Sequence, residues 1–255
     1  MILHYLDWVS LRNSESQKMG RNNWFEFKKF RIEQKASAMK VGTDGVLLGA
    51  WTSVKNESRI LDVGTGTGLI ALMLAQRCDA AIDAVEIDEG ACREAEYNFN
   101  QSPWRERLKV FSGDFLEYPG REDKKYNLIV SNPPFFINSL KTPDTKLALA
   151  RHNVIMSVEQ LVNKSVSLLE TNGRLSLIFP YENLDLVKEN ARLAGFFVKR
   201  RTDVIAKPSK PAIRVMMEFS LTPVMPEINQ ILIKDESDQF SETFRKLTTP
   251  YYLNF

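Results

Sequence analysis

Arg59-Ile60-Leu61-Asp62-Val63-Gly64-Thr65-Gly66-Thr67-Gly68 runs without a break into Leu69-Ile70-Ala71-Leu72-Met73-Leu74-Ala75. An aliphatic run, three alternate glycines and an apolar-faced stretch read as a buried strand, a tight turn and a helix, the opening of a nucleotide-binding βαβ unit. Glycines let the backbone approach a ligand closely, and a helix N-terminus follows. A glycine trio alone is weak evidence. It gains weight from 81–87, which reads as a second strand and carries Glu86 about twenty residues past the loop, where a carboxylate accepts both hydroxyls of a ribose.

Downstream, two more strands stop at chemically useful residues. The strand 108–111 ends at Ser112-Gly113-Asp114-Phe115. Asp114 either caps a short helix or accepts from the amino group of a bound adenine, with Phe115 beside the ring. The strand 126–130 delivers Asn132-Pro133-Pro134-Phe135. Consecutive prolines fix φ and cannot donate to a ladder, so the turn is rigid. The Asn132 side-chain oxygen and the Pro133 carbonyl suit the two hydrogens of an exocyclic amine, while Phe135 stacks on the ring that carries it. Taken alone, the same four residues also serve as an ordinary strand-ending turn.

Upstream, Phe25, Phe27, Lys29 and Arg31 alternate with Phe30 and Ile32 nearby, which reads as a short strand or hairpin with a basic, aromatic surface. In Met39-Lys40-Val41-Gly42-Thr43-Asp44-Gly45, Thr43 or Asp44 caps the helix that follows, leaving an anion site beside Lys40; a capped helix with one solvated lysine is the plainer alternative. Asp88 caps a helix with Cys92, Ala95 and Phe99 on one face. Beyond the proline turn, 138–153 reads as a loop over the site, 154–170 as a helix and 173–179 as a strand. A helix over 184–194, closed by Gly195, precedes a basic strand at 196–201. Lys207-Pro208-Ser209-Lys210-Pro211 then turns into a last strand, 213–221. This order favours an α/β fold whose mostly parallel sheet has an antiparallel edge. Residues 24–255 read as one domain, with an N-terminal lid at 24–51 and a strand-helix tail at 223–255; residues 1–23 read as disordered or as a start-site extension.

Composition excludes more than it selects. A net charge of +2 on 255 residues does not announce a nucleic-acid binder, so such a claim must rest on local clustering. Lys28, Lys29, Arg31 and Lys35 on one side, and Lys199, Arg200, Arg201, Lys207, Lys210 and Arg214 on the other, are candidates to track phosphates, with Trp24 as a stacking aromatic; solvated surface charge is the alternative. Cys78 and Cys92 lack metal-ligand spacing and His4 lies far from His152, so no zinc site or disulfide framework is expected. No apolar run reaches membrane-spanning length, and the chain reads as cytoplasmic.

Asp62-Val63-Gly64-Thr65-Gly66-Thr67-Gly68 with Glu86, Asp114 and Asn132-Pro133-Pro134-Phe135 resembles the class I S-adenosylmethionine-dependent methyltransferases that modify amino nitrogens. Residues 25–51, ending in the string from Met39 to Trp51, together with the basic hairpin look like one narrower family, the tRNA1(Val) (adenine-N6)-methyltransferases, which act on the adenine beside the anticodon. The resemblance implies a Rossmann-like class I fold with a seven-stranded sheet, S-adenosylmethionine as cofactor, a tRNA substrate, and a monomer needing neither membrane nor metal. It also implies site roles. Asp62, Gly64, Gly66 and Gly68 would surround the methionine part of the cofactor, with Lys40, Thr43 and Asp44 closing over it. Glu86 would hold the ribose and Asp114 the adenine amine; Asn132, Pro133, Pro134 and Phe135 would receive the target base. Ribosomal guanine N2, DNA adenine N6 and a protein glutamine amide are alternative acceptors. A nicotinamide-dependent oxidoreductase shares the loop but leaves the proline turn unused, and a silent RNA-binding module has no need of both.

Overall fold

The computed structural model describes residues 22–37, 39–55, 57–120, 124–134 and 156–254. Its first strands, β1 (Trp24–Glu26) and β2 (Arg31–Glu33), pair antiparallel as the expected hairpin. Next come α1 (Thr43–Trp51), β3 (Arg59–Val63), α2 (Leu69–Ala75), β4 (Ala81–Glu86), α3 (Glu89–Asn100), β5 (Leu108–Ser112) and β6 (Tyr126–Ser131). The chain continues through α4 (Val158–Leu168), β7 (Leu169–Pro180), α5 (Leu184–Leu193), β8 (Phe197–Ile205), β9 (Ala212–Ser220), β10 (Glu227–Leu232) and α6 (Glu242–Thr248). The loop of 138–153 lies outside the described residues, as does most of 1–23.

The large sheet runs β10-β8-β9-β7-β6-β3-β4-β5. It has eight strands where seven were expected, because the tail adds β10 in parallel to β8. Only β9 runs against the rest: it pairs antiparallel with both β7 and β8 toward this end of the sheet. The helix expected over 154–170 stops at Leu168, since Leu169 already pairs with Tyr126 as the first residue of β7.

Alternation along β3 shows how the sheet is covered. Ile60 enters one core with α1, α2, α3, the β1–β2 hairpin and the tail, whereas Leu61 and Val63 enter the other with α4 and α5. The two cores are the two faces of one doubly wound sheet. The chain leaves β3 for α2 and β4 on one side, and β6 lies on the other, so the C-terminal end of β3 is the topological switch point where such sheets bind ligands. Helix α1 reaches α2 through two glycines one turn apart. A Cβ at Gly49 would stand 2.7 Å from the Met73 sulfur, so only glycine permits this approach.

Candidate active site

Four strand ends meet at the switch point. Val63 is level with Val85 and with Ser131, and Glu86 with Ser112, so the residues after β3, β4, β5 and β6 share one rim. The glycine loop is fastened to β4: the N–H groups of Gly64 and Thr65 both donate to the Val85 carbonyl, at 2.9 and 3.2 Å. Gly64 and Gly66 have φ of +67° and +57°, and a Cβ at either would meet nothing within 4 Å. Their exposed backbone therefore faces open space that a ligand can fill. Gly68 differs. Its Cβ would fall 2.5 Å from a Phe99 ring carbon, so the packing of α2 on α3 itself requires glycine here.

Glu86 is buried and oriented by the loop itself: Oε2 accepts from Gly66 N–H at 2.8 Å and Oε1 from Asp88 N–H at 2.9 Å. Beside it Ile87 is 49% exposed, an apolar side chain standing on a polar rim. In the sequence Ile87 counts only as the last residue of the expected 81–87 strand; an aliphatic residue directly after the acidic strand end is the available signal for more. Asp114 reaches the same rim, tied through Gly113 N–H to the Glu86 carbonyl at 2.9 Å. One of its oxygens caps the turn by accepting from Leu116 N–H at 2.8 Å. Phe115 is not beside a ligand ring. It is buried in the core of α4 and α5, and its neighbour Tyr118 joins Tyr126 and Asp83 in a buried hydrogen-bond chain of 2.7 and 2.8 Å.

Asp62 lies fully buried under the loop. Its Oδ2 accepts from the Thr65 hydroxyl at 2.6 Å and from Ala71 N–H at 3.1 Å, while Oδ1 has no hydrogen-bond partner. Burial pushes this carboxyl up to about 7; the Thr65 and Ala71 hydrogen bonds oppose the rise, and the negative charge of Glu86 adds to it. Across the switch point, Ser131 Oγ donates to the Val63 carbonyl at 2.8 Å, which pins the end of β6 to the end of β3. Asn132 follows, half-buried, with no hydrogen bond on its amide among the described residues; Pro133 is buried and Pro134 exposed. Phe135 lies outside the described residues.

The segment before α1 departs from expectation. Neither Thr43 nor Asp44 caps the helix; Gly42 occupies that position without a side-chain bond. Asp44 instead pairs with Arg214 at 2.8 Å, which puts a carboxylate in the first turn, and Lys40 donates to the Asn22 carbonyl at 3.1 Å. Lys40 and Asp44, both expected beside a ligand at this helix start, thus have partners within the protein.

The basic candidates separate into two rims. Helix α3 starts at the site rim and its twelve residues carry the chain about 18 Å away. Phe30 packs on Trp104 beyond that far end, so the hairpin tip with Lys28 and Lys29 lies at the opposite rim. Lys28 there donates to the Thr249 carbonyl at 2.7 Å, and Arg31 is paired with Glu26 and stacked over Trp24. Arg200 was expected on a charged surface but is built into the fold. Its guanidinium lies 3.7 Å from the Trp51 ring centroid and donates to the Trp51 carbonyl at 2.9 Å, beside a buried cluster of Arg174, Glu57 and Glu218. Lys199 joins Glu218 in that cluster at 3.4 Å, and Arg201 pairs with Asp203 at 2.7 Å. Lys207 and Lys210 stand exposed on the β8–β9 connection, at the site rim because β8 runs parallel to β6 and β7. Lys207 pairs with Asp238 at 2.7 Å; Lys210 has no ion pair among the described residues.

Open backbone at two glycines, a carboxylate aimed by the loop and a buried acidic oxygen beneath it fit a nucleoside cofactor with a cationic amino-acid end. The half-buried amide on the far side of the switch point fits a planar amine. Among the described residues no cluster of His, Cys, Asp and Glu is arranged to hold a metal, and no helix is long and apolar enough to cross a membrane.

The profile of the methyltransferase small domain family matches residues 38–201. A tRNA1(Val) (adenine(37)-N6)-methyltransferase of Parabacteroides distasonis is 46% identical over 233 residues, covering 91% of this chain and 98% of the relative. One of the same name from Bacteroides fragilis is 43% identical, covering 90% and 98%. Among solved structures, a predicted O-methyltransferase from Agrobacterium tumefaciens superposes with a TM-score of 0.64 at 16% identity, over 84% of this chain and all of that one, which shows a shared fold.

Proposed function

From the premise that this chain belongs to the methyltransferase small domain family and, within it, to the tRNA1(Val) (adenine(37)-N6)-methyltransferases, we propose how its residues divide the work. The protein is an S-adenosylmethionine-dependent transferase that methylates N6 of adenine 37 in tRNA1(Val). The observation that carries the division of roles is the shared rim, with the Glu86 carboxylate on one side of the switch point and the Asn132 amide on the other.

When bound, the cofactor supplies a methyl group already activated by a sulfonium centre. The backbone of Gly64 and Gly66 and the carboxylates of Asp62 and Glu86 would hold it, with Ile87 and Asp114 the residues that would take its adenine. Asn132 Oδ1 and the Pro133 carbonyl each accept one N6 hydrogen, which draws the amine lone pair out of ring conjugation and aligns it for transfer. Phe135 stacks on the base, and Pro134 keeps the turn rigid. Most of the rate comes from orientation, and the surplus proton leaves the methylated amine for water. The target adenine must be unstacked to reach the turn, at a cost of about a few kcal/mol.

Exposure on the site rim favours Lys207 and Lys210 as the basic candidates to meet phosphates flanking that base, ahead of Lys28, Lys29, Lys199 and Arg200 on the other rim. We read the enzyme as cytoplasmic and monomeric. The deciding experiment is transfer from labelled S-adenosylmethionine to separate pools of unmodified tRNA, ribosomal RNA, DNA and protein, followed by nucleoside analysis. N6-methyladenosine from one tRNA species is expected, and label in ribosomal guanine or a protein amide would overturn the acceptor.

A further inference from the structure

Helix α3 carries two stripes. Ala91, Ala95 and Phe99 enter the core, as an amphipathic helix requires, but Glu94 and Asn98, one turn apart, are buried as well, at 8% and 1% exposure. A buried carboxylate and a buried amide need partners, and both find them in the stretch that runs from the last residue of β2 toward α1. The Glu94 carboxylate accepts three consecutive backbone N–H groups: those of Lys35 and Ala36 on Oε1, the latter at 2.9 Å, and that of Ser37 on Oε2 at 2.9 Å. Asn98 pairs with both backbone groups of Glu33, accepting its N–H and donating to its carbonyl, each at 2.9 Å. The same Asn98 nitrogen donates to the carbonyl of Thr67 at 2.9 Å, inside the glycine loop. Gln34 closes the rest by accepting from Val41 N–H at 2.8 Å.

We propose that Glu94 and Asn98 are positioning residues that fasten the 33–41 strap to the cofactor loop, so that strap order and cofactor binding form one linked equilibrium. The inference rests on the reading of 64–68 as the cofactor loop. Among the described residues the hydrogen bonds of Glu94 all go to the strap, and it acts by holding the strap. Asn98 is the joint, since one amide spans strap and loop. Thr67 lies between Gly66, whose backbone faces the open cradle, and Gly68, packed on Phe99, so a shift of α3 against the strap reaches the cradle within one residue. Burial alone would push the Glu94 carboxyl up, yet the hydrogen bonds from Ser37, Ala36 and Lys35 hold it below its ordinary value, which keeps the strap fastened at neutral pH.

The test uses the full chain with Glu94→Gln, Asn98→Ala and Glu86→Ala, reading S-adenosylmethionine affinity, the kcat and KM of tRNA methylation, and amide exchange at 33–41 with and without cofactor. In the wild type, cofactor should slow exchange at 35–37 and 41. Glu94→Gln should abolish that protection and raise the cofactor KM and Kd about tenfold, with kcat changed less than about twofold. Asn98→Ala should do the same, and if it fails to fold, Glu94→Gln carries the test alone. A lowered unfolding midpoint with unchanged cofactor KM in Glu94→Gln, or a wild-type strap whose exchange ignores cofactor, overturns the proposal. Glu86→Ala separates the two levels. Unchanged cofactor affinity there removes the loop reading itself, whereas weakened affinity with an inert Glu94→Gln removes only the strap.

Discussion

At the end of β4 both Glu86 oxygens are already engaged by backbone N–H groups, whereas at the end of β6 the Asn132 amide has no hydrogen bond among the described residues. The two residues flank the same switch point and differ in what must happen before they act. On the proposed division of roles, the Glu86 side is organised before cofactor arrives, so occupancy would cost little rearrangement. On the same proposed division, the Asn132 amide is the group that meets a base coming from outside.

The sharpest break in that comparison is Asn132→Ala. Transfer in a single turnover should fall about 10²- to 10³-fold, because a group aimed at the reacting amine is removed, while calorimetry should find cofactor affinity nearly unchanged; equal loss of both would merge the two halves. Glu86→Ala should lower cofactor affinity about 10- to 100-fold, the size of a lost charge-assisted contact. Transfer at saturating cofactor should largely survive.

Asp62 tests the organisation from below. A carboxyl raised in the folded state contributes stability that is fully present below its unfolded pKa and is lost as pH rises through the folded value, here about 7. Without cofactor, the wild type should therefore lose about 1 kcal/mol between pH 6 and 8 relative to Asp62→Asn, followed by urea unfolding. Parallel pH profiles would place the charge elsewhere.

The smallest effects distinguish the two rims. Lys210→Ala should weaken tRNA binding by roughly threefold and reduce the salt slope by about 1. Arg200→Ala should leave that slope alone and lower the unfolding midpoint, since it removes a guanidinium stacked on Trp51 beside Glu218. A salt slope that responds to Arg200 would return the opposite rim to the RNA surface.

Much of the rim was legible because its signals are local. Gly64 and Gly66 adopt the left-handed backbone that glycine permits, Asp88 caps α3 through Ala91 N–H at 2.8 Å, and Glu86 ends a strand at the expected spacing. The clasp on α3 was less legible. Glu94 and Asn98 look like ordinary polar positions of a surface helix until the strap covers them, and their i, i+4 spacing beside the stripe of Ala91, Ala95 and Phe99 was the one available sign.

The sequence by itself determined the strand-loop-helix at 59–75 and the strand that ends at Asn132, because hydrophobic period, glycine φ and proline rigidity act within a few residues. Tertiary structure alone decided which charges are paired within the fold and which stand exposed, why Asp44 belongs to Arg214 rather than to a helix cap, and that β10 extends the sheet to eight strands. Those outcomes depend on partners far apart in the chain, up to 170 residues for Asp44 and Arg214. A charge is exposed, paired or buried only once the fold has chosen its neighbours.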